Sequence, residues 1–358
     1  MRSGVDTTAA EAWIESLSPW PVDGFALDRM WVLLEALGNP QHAYPAIHVV
    51  GTNGKSTATR TIEALLLADG FRVGSTISPH VSGWAERIRV DGREADFDVA
   101  VQRVRAAAEH VRATQFETLT AAALAEFAAA GVDVAVVEAG LGGRHDATNV
   151  LRTKVVLLTN VGLDHTEVLG ETVEEIAQEK LAVARDDSVV VLPSDVYATY
   201  VPGHDIVLGG AREAAEAFAG HPIAAEIEVA LPGRLERREG EIRDGAHNPD
   251  GVAWLIRHLP PAAYVVCASM LCDKNADAML ATLATTGTRF VATQSSNARA
   301  LPADELAELA RPHFSHVETA VDPVVALARA HELGEPVLVT GSLYLLADLA
   351  RHEREPAA

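Results

Sequence analysis

The stretch that most limits what this chain can become is Gly51-Thr52-Asn53-Gly54-Lys55-Ser56-Thr57. It follows the apolar run Ala46–Val50, which reads as a short buried strand. It precedes an Ala/Leu-rich stretch, 58–68, that reads as a helix. Strand, glycine loop and helix with Gly-Lys-Ser at the turn is the layout of a phosphate-binding loop. Glycines let backbone N–H groups approach an anion closely. The helix N-terminus adds partial positive charge. Lys55 brings a full charge to the terminal phosphates, and the hydroxyl of Ser56 or Thr57 suits Mg²⁺. The common pattern G-x-x-x-x-G-K-[ST] wants a glycine where this chain has Val49, so the loop is a shorter variant. A glycine turn that merely joins strand to helix is the weaker reading, because packing does not explain a Gly-Lys pair followed by two hydroxyls.

Lysine is scarce: the chain has only Lys55, Lys154, Lys180 and Lys274. A lysine ammonium shifts its pKa readily and its amine can be modified, whereas arginine offers neither property. Lys180 follows Glu179 in a predicted helix, where such a pair is most often a solvated surface pair. Lys154 reads as an ordinary strand end. A net charge of −21 argues against nucleic acid and anionic membranes as partners, so anionic ligands must be handled by local dipoles, metal and a few arginines. Cys267 and Cys272 are the only cysteines and suggest neither a disulfide framework nor a zinc set. No apolar run approaches membrane-helix length. The N-terminus carries Asp6, Glu11 and Glu15 and lacks a signal-peptide core, which predicts a cytoplasmic protein.

The 358 residues suggest two domains. Apolar runs near 46–50, 132–137, 155–159, 188–192, 264–268, 289–293 and 336–340 read as strands and alternate with helical stretches. That is the pattern of mostly parallel, doubly wound α/β sheets, whose ligands sit at the carboxyl ends of strands. Pro232-Gly233 is the candidate hinge; it closes a stretch near 193–231 that reads as irregular. The predicted domains are therefore 1–231 and 232–358.

Further motifs follow strands. Glu138 closes one and opens a glycine-rich loop carrying Arg144, Asp146 and Asn149, which suits a Mg²⁺ ligand near phosphates. Asp164-His165 follows the next; a capping Asp with a surface His is the ordinary account, and His165 as a metal ligand is the functional one. In the second domain, Asn248-Pro249 reads as a helix start, so Asp244 and His247 are candidates to face a ligand there. Arg234 is a candidate phosphate clamp.

In that order the chain resembles the folylpolyglutamate synthase/dihydrofolate synthase family, a branch of the Mur ligases. The resemblance is carried by HVVGTNGKST (48–57), SPHVSGWAERI (78–88), FETLTAAAL (116–124), VVEAGLGGRHDATN (136–149), GLDHTEVLG (162–170), IAQEK (176–180), PGRLE (232–236), DGAHNP (244–249) and TGSLY (340–344). It implies a P-loop ATPase-like Mur ligase central domain followed by a Rossmann-like C-terminal Mur ligase domain. It also implies ATP-dependent addition of L-glutamate to a pterin-linked carboxylate, dihydropteroate or reduced folate, through an acyl phosphate.

The same resemblance implies roles. Gly51 through Thr57, with Arg234 and Asp244, bind ATP. Ser56, Ser78, Glu138 and His165 hold Mg²⁺. Lys55, Lys180, Asp244 and His247 are catalytic, with Lys180 matching a lysine that such enzymes carbamylate. Ser78, Pro79, His80, Phe116, Thr118, Arg144 and Asp146 line the substrate cleft. A monomer with small-molecule substrates only is implied. The stretch between Lys180 and Pro232 is shorter than in the family, and Leu208–Glu213 is the candidate remnant of its adenine-contacting segment. Two alternatives stay open: a Mur-type ligase for a different acid and amine, and a silent nucleotide- or folate-binding homologue.

Overall fold

A computed structural model describes residues 8–21, 24 and 26–354. The acidic N-terminal reading that uses Asp6 lies partly outside those residues. The chain divides into two compact units, Asp6–Pro79 with Trp84–Val229, and Ala230–Ala358 with the short segment His80–Gly83.

The first unit runs α1 (Ala9–Ser16), α2 (Asp28–Ala36), β1 (Ala46–Val50), α3 (Lys55–Ala68), β2 (Val73–Thr76), β3 (Ile88–Val90), β4 (Arg93–Glu94), α4 (Phe97–Val111), α5 (Gln115–Ala130), β5 (Val134–Glu138), β6 (Thr153–Leu158), α6 (Thr166–Leu169), α7 (Val173–Leu181), β7 (Val189–Leu192), β8 (Asp205–Leu208) and α8 (Ala211–Ala219). Among the described residues these strands form one eight-stranded sheet in the order β4-β3-β2-β5-β1-β6-β7-β8. From β2 to β8 the neighbours pair in parallel, and β3 and β4 add an antiparallel edge.

All five residues of β1 are buried because helices cover both faces of a parallel sheet. One face packs α2, α4 and α5 in a core that includes Leu33, Val104, Leu124 and Phe127. The other packs α3 and α8 through Ile62, Leu66, Ala214 and Ala215. The alanines of α5 permit close approach, and its first turn is fixed by a Thr114/Glu117 capping box.

The second unit runs β9 (Glu236–Arg238), β10 (Glu241–Arg243), α9 (Pro249–His258), β11 (Val265–Ala268), α10 (Ala276–Leu283), β12 (Arg289–Ala292), α11 (Ala303–Ala310), β13 (His316–Thr319), α12 (Pro323–Leu333), β14 (Val337–Thr340) and α13 (Leu343–Arg354). Its described strands form a six-stranded sheet, β13-β12-β11-β14-β10-β9, parallel except for the β9 edge. Both units are doubly wound α/β, as the alternation predicted.

The differences have physical reasons. The stretch 193–231 is not irregular: it holds a 3₁₀ turn, β8 and α8. As an edge strand β8 is half-exposed and its apolar run is only three residues, Ile206–Leu208. β13 is exposed likewise, with Val317 its one apolar residue. β10 hides behind a buried ion pair, Glu241–Arg243 at 2.7 Å. β2 is short and contains Gly74, where an added Cβ would lie 2.5 Å from the Phe127 ring. Lys154 is exposed, as expected, with its ammonium 6.0 Å from the Phe218 ring centre. Among the described residues no helix is long and apolar enough to cross a membrane.

Candidate active site

The site of the first unit grows from the end of β1. Gly51 has φ +150°, and a Cβ there would fall 1.9 Å from Thr159 Oγ1, so only glycine fits. Gly54, at φ +80°, turns the chain into α3. The residues after β6 hold the loop from outside. Thr52 N–H donates to Asn160 O at 3.0 Å, Asn53 N–H to Asn160 Oδ1 at 2.8 Å, and Gly162 N–H to Thr52 Oγ1 at 3.0 Å. Lys55 curls over its own loop, donating from Nζ to Gly51 O at 3.1 Å and Thr52 O at 3.2 Å.

Lys180 reaches the same loop. It is 3% exposed rather than a solvated surface residue, and its Nζ donates to Gly51 O at 2.9 Å. Burial, then the Lys55 charge, push its pKa down to about 7, against the pull of Asp164, Asp146 and Glu179.

Glu138 ends β5 beside β1, also buried. Its Oε1 accepts from Ser56 Oγ at 3.2 Å, and its Oε2 from the Ser78 N–H at 3.1 Å. A buried carboxylate between two serines, at the N-terminus of the glycine-loop helix, is a hard oxygen donor set of the kind Mg²⁺ takes. His165 sits at the head of α6 with φ +51°. Its ring is flanked by Asp164 Oδ1 and Glu167 Oε1, each at 3.9 Å.

Next to Glu138 is a pocket. Thr76, Ile77, Ser78 and Arg87 make one wall, Phe116, Leu119 and Thr120 of α5 another, with Glu138 and Thr148 between them. Gly140 keeps room for the Phe116 ring, since a Cβ there would lie 2.5 Å from Phe116 Cζ. Thr118 is fully buried inside α5, and the wall beside it is built by its neighbours Leu119 and Thr120. Arg144 points outward and pairs with Glu179 at 3.2 Å. Asp146 is buried and shapes the loop: it accepts from Leu141 N–H at 2.7 Å, Thr148 N–H at 3.0 Å and the Thr148 hydroxyl. Burial raises its pKa against these hydrogen bonds. Pro79 closes the first unit's segment after Ser78.

Several residues here escaped sequence reading. His48 is buried, its pKa pushed down to about 3 by desolvation and Arg185, and its Nε2 lies 2.8 Å from Thr148 Oγ1. Asn160 braces the glycine loop, and its place just after β6 was the available signal. Arg87 reaches the pocket with its guanidinium 5.0 Å from the Trp84 ring centre.

In the second unit Asp244 is buried and accepts from Leu235 N–H at 2.8 Å and Ala246 N–H at 2.9 Å. Burial raises its pKa, while those amides and Arg234 oppose the rise. Arg234 Nη1 donates to Gly233 O at 3.1 Å. His247 Nδ1 lies 2.9 Å from Gly245 O. Asn248 caps α9, with Pro249 at its first turn as predicted. His80 belongs to this unit's short segment.

The chain is similar to known proteins. Residues 49–204 match the Mur ligase middle domain. The dihydrofolate synthase/folylpolyglutamate synthase of Mycobacterium tuberculosis is 33% identical, over 81% of this chain and 78% of that protein. The E. coli FolC structure in complex with DHPP and ADP superposes with a TM-score of 0.83 at 25% identity, covering 96% of each chain. The Yersinia pestis bifunctional folylpolyglutamate synthase/dihydrofolate synthase, complexed with AMPPNP and Mn ion, gives 0.83 at 27% identity, covering 97% of this chain and 98% of that one. With a relative this similar over most of both sequences, and two-unit enzymes of this kind matching nearly end to end, the chain belongs to the dihydrofolate synthase/folylpolyglutamate synthase family of Mur ligases.

Proposed function

We propose that this chain is an ATP-dependent acid–amino-acid ligase that adds L-glutamate to a pterin-linked carboxylate, dihydropteroate or a reduced folate. The observation that carries the reading is Glu138, held by Ser56 and Ser78 where the glycine loop meets the pocket. One buried carboxylate thus borders both the phosphate loop and a cavity walled by an aromatic ring. That is where an acid must sit to take a phosphoryl group.

The carboxylate oxygen of the acceptor attacks the γ-phosphorus and ADP leaves. The amine of glutamate then attacks the carbonyl carbon of the acyl phosphate, loses a proton and expels phosphate. Both steps require positioning and charge neutralisation more than a strong nucleophile. The amides of Gly51–Ser56 and the Lys55 ammonium cradle the phosphates. Ser56, Ser78, Glu138 and His165 are the residues we assign to Mg²⁺, which when bound neutralises phosphate charge. Lys180, its pKa lowered to about 7, has a large share of the free amine that carbamylation needs at and above that pH. Phe116, Pro79 and Ser78 are assigned to the acceptor, with Thr118, Arg144 and Asp146 supporting that wall and its loop. His80 is assigned with them to the substrate cleft, Arg234 and Asp244 to the nucleotide, and Asp244 and His247 to catalysis.

We assign nucleotide binding to residues 1–231 and glutamate ligation to 232–358. We read the protein as a cytoplasmic monomer acting on small molecules. Its net charge of −21 supports the lack of nucleic-acid and membrane partners.

The test supplies ATP, Mg²⁺ and L-glutamate with dihydropteroate or tetrahydrofolate and measures phosphate release. Release is expected with at least one acceptor and is expected to disappear in Lys55→Ala. Absence of release with every folate-type acceptor would refute the reading, and release with an unrelated acid in a wider screen would redirect it.

A further inference from the structure

Arg60 lies on α3, the helix that begins with Lys55, and its side chain is buried. Its guanidinium has partners on three elements. Nη1 donates to Ser75 Oγ on β2 and, at 3.4 Å, to Glu63 Oε2 on α3 itself. Nη2 donates to Glu86 O in the turn Trp84–Arg87. Glu63 Oε1 also faces Arg89 Nε of β3 at 3.5 Å.

The chain neighbours of these partners matter most. Ser75 directly precedes Thr76, Ile77 and Ser78, and Glu86 directly precedes Arg87. Those four residues are one wall of the pocket beside Glu138. A single cation on the glycine-loop helix therefore grips both segments that enter that wall. Stability alone is a poor account of it. A buried ion pair is costly to desolvate, and an apolar pair of similar volume often serves a core as well or better. What an apolar pair would not supply is directed hydrogen bonds to a β2 hydroxyl and to a carbonyl in the Trp84–Arg87 turn, which fix where the wall stands relative to α3.

We propose that Arg60 is a positioning residue that keeps the acceptor wall, Thr76–Ser78 with Arg87, in register with the phosphate-binding loop. This rests on the ligase reading above: the acceptor carboxylate and the nucleotide must meet at a fixed separation, and Arg60 joins the supports of the two.

The test compares wild type with Arg60→Met, Arg60→Lys and Ser75→Ala. It measures steady-state kinetics for acceptor and for ATP, equilibrium binding of the acceptor and of a non-hydrolysable ATP analogue, and thermal midpoints. Arg60→Met is expected to lower kcat/KM for the acceptor by roughly 10- to 100-fold while analogue affinity stays within about twofold, because a small misplacement of one reactant is paid in rate. Arg60→Lys, which keeps a donor and the charge, is expected to recover part of the loss. A merely structural Arg60 would shift the thermal midpoint and weaken both ligands in parallel. That result, or wild-type acceptor kinetics in a folded Arg60→Met protein, overturns the proposal. If Arg60→Met does not fold, Ser75→Ala removes one of the contacts and is held to the same outcomes. If wild type releases no phosphate with any acceptor, the ligase reading falls by itself. The register claim is then judged on binding: selective loss of acceptor affinity upholds it and equal affinities end it.

Discussion

Replacing Lys180 with methionine is expected to stabilise the fold and abolish the reaction, with a pH signature that isolates the ammonium. The side chain is 3% exposed, and its pKa falls from 10.5 to about 7, chiefly through burial and secondly through Lys55. The difference, 10.5 minus 7, corresponds to about 5 kcal/mol at ~1.4 kcal/mol per pH unit. The sign follows from where the proton is held more tightly. The unfolded chain keeps the lysine protonated up to pH 10.5, and the folded chain releases the proton above about 7. Stability therefore rises with pH between those values, and the full cost applies below 7. Methionine carries no charge to desolvate. It does lose the 2.9 Å hydrogen bond to Gly51 O, worth about 0.5–1.5 kcal/mol net. The variant should be roughly 3–4 kcal/mol more stable than wild type near pH 6.5, and the gap should close toward pH 10.

Guanidinium unfolding of both proteins across that range, in CO₂-free buffer, measures the gap. The scarcity of lysine supplies a second readout. With ¹⁵N-labelled lysine, wild type presents only four side-chain ammonium groups. The one missing in Lys180→Met should titrate near 7. Adding bicarbonate should then raise ligase activity in wild type alone, because only a neutral amine adds CO₂. Parallel stability curves, or a Lys180 signal titrating near the ordinary lysine value, would refute the reasoning.

Three other perturbations test residues of the two units. Gly140→Ala sets a Cβ 2.5 Å from Phe116 Cζ; the displaced ring should raise the acceptor KM on the order of tenfold, the cost of ~1.4 kcal/mol of overpacking, with ATP KM unchanged in the same assay. Glu138→Gln keeps the size but removes the charge and one of the two acceptor oxygens that Ser56 Oγ and the Ser78 N–H use. It should shift the Mg²⁺ concentration for half-maximal phosphate release upward by more than about tenfold, and chelation should silence the wild type. Asp244→Ala strands the Leu235 and Ala246 amides. Thermal melting should show a loss of about 2–6 kcal/mol, from ~1–3 kcal/mol for each of the two amides left unpaired.

What was readable in this chain was what local spacing encodes. Gly51 and Gly54 announce a backbone that only glycine adopts, and Lys55 follows at once, so the phosphate loop could be read within one heptapeptide. The buried strands were legible for the same reason, since a strand covered on both faces leaves an unbroken apolar run. Edge strands leave only a short run or none, Ile206–Leu208 in β8 and the lone Val317 in β13, because part of their surface faces water. Charged residues were the hardest to place, since their meaning depends on partners far along the chain. Lys180 after Glu179 has the look of a solvated pair, and only its contact with Gly51, 129 residues away, shows it to be internal. Arg60 is the stronger case. The sequence did not single it out, and its partners lie on a strand and a turn that no helical periodicity reveals. Asp146 shows the other side of the problem. Read with the substrate contacts, it is occupied by Leu141 and Thr148 within its own loop, a short-range pattern that an Asx turn in the sequence would have signalled. Pattern thus locates the backbone of a site more readily than it distinguishes the side chains that meet a ligand from those that hold others in place. Arg60→Met and Asp244→Ala address that second question, because each removes a charge whose described hydrogen bonds hold other parts of the protein in place.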